Sequence, residues 1–252
     1  MKNAKGKIKM LIATVAVAAV CAAGTYAFLS AQTDELENTF TPSENIKVEI
    51  QEPNWDKDAD NDGSYGSKDA QHYTANSLIE KDPSLTNTSV SATHNDEYLS
   101  LELGYFLEDA DGNKHEVTYE EFTKVAKVYS EDSKGVKTEG FKNTWTALSA
   151  EDSENGVNDR FYYKGTAKEL QVVAKDKTTD TIFDYVQINP GLKLENADGS
   201  KNYIKLTDVN GKEFKALGLP KFEITVKGYA VQVDNITVDE AKAELLSLMK
   251  AN

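Results

Sequence analysis

A short acidic stretch carries the one pattern in this sequence whose residue types and spacing match a binding chemistry. It is an Asp-x-Asp-x-Asp-Gly run closed by an aspartate at its twelfth position, and its acidic residues are Asp58, Asp60, Asp62 and Asp69. Calcium loops place carboxylates and a turn glycine in this order around a hard cation. However, no amphipathic helices flank the run, and Asp-Gly stretches also form plain solvated turns. Residues 56–70 are therefore either a calcium site or an acidic turn.

Patterns typical of catalysis are missing from the sequence. The chain has three histidines, His72, His94 and His115, and they are far apart. There is no His-Glu-x-x-His pair, which would place two zinc ligands and a glutamate base on one helix face. There is also no Gly-x-Ser-x-Gly turn and no glycine-rich phosphate loop. The sequence offers no catalytic residue and favours a structural or binding protein over an enzyme.

The start of the chain has the composition of a secretory signal peptide. Four lysines precede an uncharged run from Met10 to Ala23, and small residues at Thr25 and Ala27 predict cleavage before Phe28. A permanent membrane anchor would need about 20 apolar residues, which is more than this run provides. Lipoprotein processing at Cys21 is a second alternative. We expect a signal peptidase as one partner and the mature protein outside the cell.

Removal of the signal peptide, residues 1–27, would change both redox chemistry and charge. The only cysteine of the chain, Cys21, would be lost, so the mature protein could not form a disulfide. The formal charge of −14 would become more negative because the signal contains lysines and no acidic residue. Such a surface repels nucleic acids and anionic lipids, so we expect neither as a partner. Contact with a membrane is expected only through the uncleaved signal peptide.

The next segment, residues 28–45, is polar and has few large apolar side chains, among them Phe28, Leu29 and Phe40. It cannot bury enough surface to fold alone. One hypothesis is that it adds as a strand to the sheet edge of a neighbouring subunit, with these three side chains in pockets. Such a head-to-tail contact propagates as a filament. Pairing within its own sheet, or a flexible tail, are the alternatives.

Strand patterns dominate the rest of the chain. Alternating apolar residues predict a strand from Ile46 to Ile50 and a central strand over residues 99–107, whose polar face is expected to contact water. Residues 222–226 and 229–233 alternate in opposite phases. A β-bulge at Lys227–Gly228 would explain this change of phase.

Two capping boxes predict helices. Thr118 with Glu121 indicates a short inserted helix, and Thr237 with Glu240 indicates a C-terminal helix over residues 237–250. Together with the strands, these signals predict one domain over residues 46–252. We expect a mainly β protein, an antiparallel jelly-roll-like β-sandwich with a C-terminal helix, short inserted helices and the acidic insertion.

Several motifs resemble those of the camelysin/TasA group of secreted Gram-positive proteins. They are Gly-Thr-Tyr-Ala-Phe, Asn-Thr-Phe-Thr, Glu-Pro-Asn-Trp-Asp, a Lys-Asp-Pro and Thr-Asn-Thr passage ending in Asp-x-Tyr, and a Phe-Asp-x-Val passage, at residues 24–28, 38–41, 52–56, 81–98 and 178–186. The resemblance does not extend to the acidic insertion, which lengthens a connection of the family pattern.

The resemblance implies a function that the residues alone do not. It implies release by a dedicated signal peptidase and a structural role, as a biofilm matrix fibre or cell-surface subunit that assembles with itself or with related matrix subunits. It also implies a metallo-endopeptidase, the class given to camelysin, although no zinc motif supports this. A calcium-dependent adhesin is the third hypothesis.

Overall fold

The structure is a computed structural model that describes residues 30–32, 46–90, 95–148, 159–195 and 202–250. In chain order, its strands are β1 (Ser30–Gln32), β2 (Val48–Gln51), β3 (Leu78–Glu80), β4 (Ser84–Asn87), β5 (Glu97–Glu108), β6 (Lys114–Val117), β7 (Ala126–Glu131), β8 (Lys137–Glu139), β9 (Trp145–Ala147), β10 (Asp159–Tyr163), β11 (Val172–Val173), β12 (Tyr185–Ile188), β13 (Tyr203–Thr207), β14 (Glu213–Leu217) and β15 (Phe222–Gln232). The helices are α1 (Pro53–Asp56), α2 (Gly66–Asp69), α3 (Tyr119–Phe122) and α4 (Val238–Lys250), and a 3₁₀ turn covers Ala70–His72.

The strands form antiparallel sheets, which confirms the predicted mainly β class. The largest sheet has the order β1-β15-β5-β10-β9, and β6 and β11 also pair with β5. A second sheet has the order β3-β12-β7-β8, and the pairs β2-β4 and β13-β14 stand beside them. One apolar core joins the sheets, since Leu101 of β5, Val128 of β7 and Val186 of β12 belong to the same buried cluster.

The predicted β-bulge at Lys227–Gly228 is wrong. β15 pairs with β5 in one unbroken register from Phe222 opposite Leu107 to Gln232 opposite Glu97. The apolar pattern changes phase because both faces of β15 are covered. Its first half points Ile224 and Val226 into the main core, whereas its second half also packs Tyr229 and Val231 against α4.

The prediction that one face of the central strand contacts water is also wrong. The side chains of Ser100 and Glu102 on that face are buried, with 0% and 5% of their surface exposed. Arg160 lies over this face, and its Nε donates to Glu102 Oε2 at 2.6 Å. Its Nη2 donates to the carbonyl of Met249 in the last turn of α4 at 2.7 Å. The only arginine of the chain thus fastens the C-terminal helix to the sheet.

Both capping boxes begin helices. The Thr118 side chain accepts from the Glu121 amide, but α3 ends after one turn because the apolar residues beyond it enter β7. At α4, the Glu240 amide donates to Thr237 Oγ1 at 3.3 Å, and the Glu240 carboxylate accepts from the Thr237 amide at 2.8 Å. The C-terminal helix was therefore predicted correctly to within one residue.

Three hairpins share one turn chemistry. The first residue of each turn is an aspartate whose Oδ1 accepts from the amides two and four positions later, and these residues are Asp109, Asp132 and Asp208. The fourth residue of each turn is a glycine with a positive φ, +87° at Gly112. A side-chain acceptor and a left-handed glycine are local signals, so these turns follow directly from the sequence.

Candidate functional site

Two of the sequence motifs meet at the base of the acidic loop. The Asp82 carboxylate accepts from the amide of Asn54 at 3.0 Å and from the amide of Trp55 at 3.3 Å, which satisfies the N-terminus of α1. The ammonium of Lys81 lies 2.5 Å from Glu52 Oε1 and 4.7 Å from the centre of the Trp55 ring. Lys81 is only 7% exposed. The buried Lys81–Glu52 ion pair and the hydrogen bonds to Asp82 thus fix the first end of the loop.

The second end of the loop is held by close packing at Gly66. A Cβ atom at this position would lie 1.7 Å from the carbonyl oxygen of Glu80 and 2.7 Å from the Trp55 ring. Only glycine therefore allows α2 to approach β3 this closely. Both ends of the acidic loop are anchored to the same structure around Trp55, so the positions of its carboxylates depend on the fold.

Within the loop, the first three aspartates are gathered together. Asp58, Asp60 and Asp62 each offer a carboxylate oxygen, and these atoms lie within 4.8 Å of one another. The Gly63 amide donates to Asp58 Oδ2 at 3.0 Å, and the Ser64 amide donates to Asp62 Oδ1 at 2.8 Å. The structure thus brings together three of the four residues that the spacing predicted as ligands. Their oxygens form a small region of concentrated negative charge.

The fourth predicted ligand, Asp69, lies outside this group of oxygens. Asp69 is the last residue of α2, and its carboxylate accepts a hydrogen bond from the Ser64 hydroxyl. The group of oxygens within 4.8 Å consists of Asp58, Asp60 and Asp62 and does not include Asp69. Asp69 thus contacts the loop through Ser64.

Glu80, at the end of β3, is a residue that sequence reasoning missed. Its Oε2 and the Oδ1 of Asp58 are shielded from solvent and have no hydrogen-bond partner among the described residues. Burial, followed by the negative charges of Asp60, Asp62, Asp82 and Asp58, raises the pKa of Glu80 to about 7. No spacing rule connects Glu80 to the loop, because only the packing at Gly66 brings β3 beside it. The three gathered aspartates offer the hard oxygen ligands that Ca²⁺ prefers, and Glu80 lies outside their group of oxygens but near enough for their charges to raise its pKa.

His115 is the one histidine whose side-chain contacts the structure describes. His115 stacks on Phe214 with ring centres 4.2 Å apart, and its Nε2 lies 2.9 Å from Asp109 Oδ2. Its Nδ1 lies 3.7 Å from Asp208 Oδ2. Hydrogen bonds from His115 and Asn113 hold the pKa of Asp109 well below its usual value. His115 therefore joins two hairpin turns, while His94 lies outside the described residues.

The edge of the largest sheet is the second candidate site. β1 pairs antiparallel with β15, and the partners are Ser30 with Val231, Ala31 with Ala230, and Gln32 with Tyr229. In this single chain β1 therefore pairs within its own sheet, which is one of the two alternatives to strand donation. It covers only three of the eleven residues of β15. The predicted cleavage and assembly residues, Ala27, Phe28, Leu29 and Phe40, lie outside the described residues.

In the part of the chain that the structure describes, no helix combines the length and the apolar character needed to cross a membrane. The chain matches no protein-family model, no curated protein and no solved structure.

Proposed function

We propose that the mature protein is an extracellular structural subunit, a matrix fibre or cell-surface component of a Gram-positive bacterium, that assembles by exchange of its N-terminal strand. The observation that carries this proposal is the pairing of β1 with β15. A segment just after the predicted cleavage site is a strand at a sheet edge, and such an edge also accepts a strand from another copy.

The lengths of the pairings favour exchange. β15 is held by eleven residue pairs to β5 but by only three to β1. A three-residue pairing is weak, and the same segment of a second copy would form the same backbone hydrogen bonds. Residues 33–45 separate β1 from the rest of the domain, and a chain of this length can extend over about 40 Å. This reach is sufficient for β1 to pair with a neighbouring subunit.

The proposal has two further parts. We propose that the chain is a member of the camelysin/TasA group, and that its sheets have a jelly-roll arrangement. Support comes from the contacts between the motifs of the resemblance. The Glu-Pro-Asn-Trp-Asp box contacts Lys81 and Asp82. The Thr-Asn-Thr motif contacts the residue just before the Asp-x-Tyr motif, because Asn87 Nδ2 donates to the Asn95 carbonyl at 2.7 Å. These motifs therefore act as paired structural elements.

A cysteine pair tests strand exchange directly. Ala31→Cys with Ala230→Cys places two thiols at partnered positions, and the predicted mature chain contains no other cysteine. Partnered residues of antiparallel strands lie within disulfide range. In filaments, we expect oxidation to give a ladder of covalent oligomers on a non-reducing gel, and Ala31→Cys alone should give none.

The result that would contradict exchange is equally clear. If filaments form normally and oxidation gives only monomers with an internal disulfide, β1 pairs within its own chain. Deletion of residues 28–37 is the complementary test. We expect the shortened protein to keep its circular dichroism spectrum and to form no filaments in electron micrographs.

Calcium-dependent adhesion is a second candidate function, and the surroundings of Glu80 favour it. Asp58, Asp60, Asp62 and Glu80 place negative charge around oxygens that lack hydrogen-bond donors among the described residues. A bound cation would stabilise the folded state by mass action, by about 2.7 kcal/mol at a hundredfold excess over its dissociation constant. An adhesin would then need calcium to present its loop in one conformation.

Titration calorimetry with CaCl₂ tests this second function. We expect the Asp60→Asn variant to lose binding and the matched Asp56→Asn variant, changed outside the cluster, to retain it. Adhesion of the wild type to surfaces should fall in chelator. If millimolar calcium leaves the melting temperature of the wild type unchanged, the loop is a solvated turn.

A further inference from the structure

Glu97 is a buried acid at the first position of β5, and only 1% of its surface is exposed. Its Oε1 accepts from the Ser89 hydroxyl and from the Lys47 amide, the latter at 3.3 Å. The same Lys47 amide lies 3.0 Å from Ser89 Oγ. Its Oε2 is shielded from solvent and has no hydrogen-bond partner in the described part of the chain. One carboxyl group therefore joins three separate segments of the chain.

Asn87 fixes the position of this group. Asn87 is fully buried, and its Nδ2 donates to the carbonyls of Asn95 at 2.7 Å and Val173 at 2.8 Å. Its Oδ1 accepts from the Ser89 amide at 3.0 Å. Ser89 is thus held rigidly beside Glu97. The three buried polar residues form a network that ties β4, β5 and β11 together.

Few charges surround Glu97. Across the strand pairs it faces Gln232 of β15 and Val173 of β11, which are uncharged. Lys47 directs its ammonium to Glu49 Oε1 at 2.9 Å, and Asp96 is the neighbouring acid. Burial raises the pKa of Glu97 to about 8, the hydrogen bonds from Ser89 and Lys47 oppose this rise, and the charge of Asp96 adds to it.

We propose that Glu97 is a proton-controlled lock that holds Lys47, at the base of the N-terminal segment, when neutral and releases it when ionised. Lys47 immediately precedes β2, and its carbonyl accepts from the Thr88 amide at 2.8 Å. Glu97 also pairs with Gln232, the residue next to the β1 partner Val231. The lock therefore lies between the base of this segment and the edge that β1 occupies.

The direction of the pH effect follows from the raised pKa. Between the ordinary pKa of 4.5 and about 8, the folded chain keeps a proton on Glu97 that the unfolded chain has lost. This contribution to stability is complete at low pH and is lost as the pH rises through about 8. Ionisation alone would strengthen the hydrogen bonds from Ser89 and Lys47, but the other oxygen, Oε2, would carry buried charge without a donor. Opening of the whole site to water relieves this charge, and that opening also breaks the contact with Lys47. Alkaline pH should therefore loosen Lys47, and it should speed β1 exchange if the proposed function holds.

Amide hydrogen exchange at Lys47 gives a local measurement of the lock. In wild type, we expect the protection factor of this amide to fall about tenfold between pH 7 and pH 9, after correction for intrinsic exchange. Glu97→Gln retains an acceptor for Ser89 and Lys47 but cannot ionise, so its protection should stay constant. Glu80→Gln is the matched control, because Glu80 also has a raised pKa but does not contact Lys47, and it should behave as wild type.

Ser89→Ala provides an independent variant. It removes a hydrogen bond that favours the ionised form of Glu97, so the loss of Lys47 protection should move to higher pH. Equal pH profiles in wild type and Glu97→Gln, or a shift to lower pH in Ser89→Ala, would overturn the lock.

A second measurement separates the lock from the proposed function. Crosslinking through the Ala31 and Ala230 cysteines at pH 7 and pH 9 follows strand exchange. Because thiol oxidation itself is faster at high pH, the same cysteine pair in the Glu97→Gln variant is the reference, and we expect crosslinking to accelerate more in the chain that keeps Glu97. If Lys47 loses protection but crosslinking between copies accelerates equally in both chains, the lock stands and its coupling to exchange is wrong. If no intermolecular crosslinks form at either pH, the proposed function fails while the Lys47 profiles still decide the lock.

Discussion

Glu80 and Glu97 are both acids with raised pKa values, but their surroundings differ. Burial and the charges of four aspartates raise the pKa of Glu80 to about 7. Glu97 is raised to about 8 by burial, with Asp96 as the only acid that contributes and two hydrogen bonds that oppose the rise. The repulsion at Glu80 would be relieved by a cation. At Glu97, a proton removes the charge that is unfavourable to bury. The two acids therefore have similar raised pKa values but are expected to bind different ligands, a cation at Glu80 and a proton at Glu97.

The supports of the two acids differ as well. The acidic loop is solvent-exposed and depends on the buried Lys81–Glu52 pair and on the packing at Gly66. Glu97 lies inside a network whose donors are fixed by Asn87. Changes in one region should therefore leave the other intact.

The largest effect is expected from Lys81→Met, which disrupts the support of the acidic loop. It would leave Glu52 without its partner at 2.5 Å. Loss of one member of a buried ion pair costs about 3–5 kcal/mol, to be measured as the free energy of unfolding in urea. Lys68→Met, at a lysine 5.7 Å from the Tyr65 ring centre, is the control and should cost less than about 1 kcal/mol. An equally small effect of Lys81→Met would mean that the loop does not depend on this pair.

An intermediate effect is expected from Asn87→Ala in the buried network. This change removes two hydrogen bonds donated to carbonyls and one accepted from Ser89. The loss should be about 3 kcal/mol, because buried partners remain without hydrogen bonds. Thr88→Ala, which removes a 3.3 Å bond to the Lys47 carbonyl, should cost about 1 kcal/mol or less. The response of the melting temperature to calcium should not change, and a reduced response would show that the two regions are coupled.

The smallest effect is expected from Glu80→Gln. Because the pKa of Glu80 is raised to about 7, ionisation destabilises the folded state as the pH rises from about 4.5 through 7. The neutral variant should gain up to about 1 kcal/mol at pH 8 without calcium, a figure reduced for solvent screening. It should also show a smaller rise in melting temperature on addition of calcium. Glu97→Gln should keep the full calcium response, and the opposite pattern in the two variants would reverse our assignment of cation and proton.

The sequence alone determined the features that depend on neighbouring residues. The Asp58, Asp60 and Asp62 spacing grouped three carboxylates that lie within 4.8 Å of one another. The Thr237 and Glu240 capping box placed the start of α4 because its hydrogen bonds span only three residues. The turn at Gly112 followed from a glycine near an aspartate in the same way. Each of these structures forms from a few consecutive residues.

The tertiary structure decided whatever depends on distant contacts. A change of phase in an apolar pattern has two physical causes, a bulge or a second covered face, and only the docking of α4 on Tyr229 and Val231 distinguishes them. Glu80 joins the acidic loop through the packing of Gly66. Glu97 reads as an ordinary charged residue in the sequence, yet Ser89 and Lys47 enclose it. Both acids are shielded from water by segments that are distant in the sequence. A local sequence pattern cannot predict which segments will pack against a given side chain.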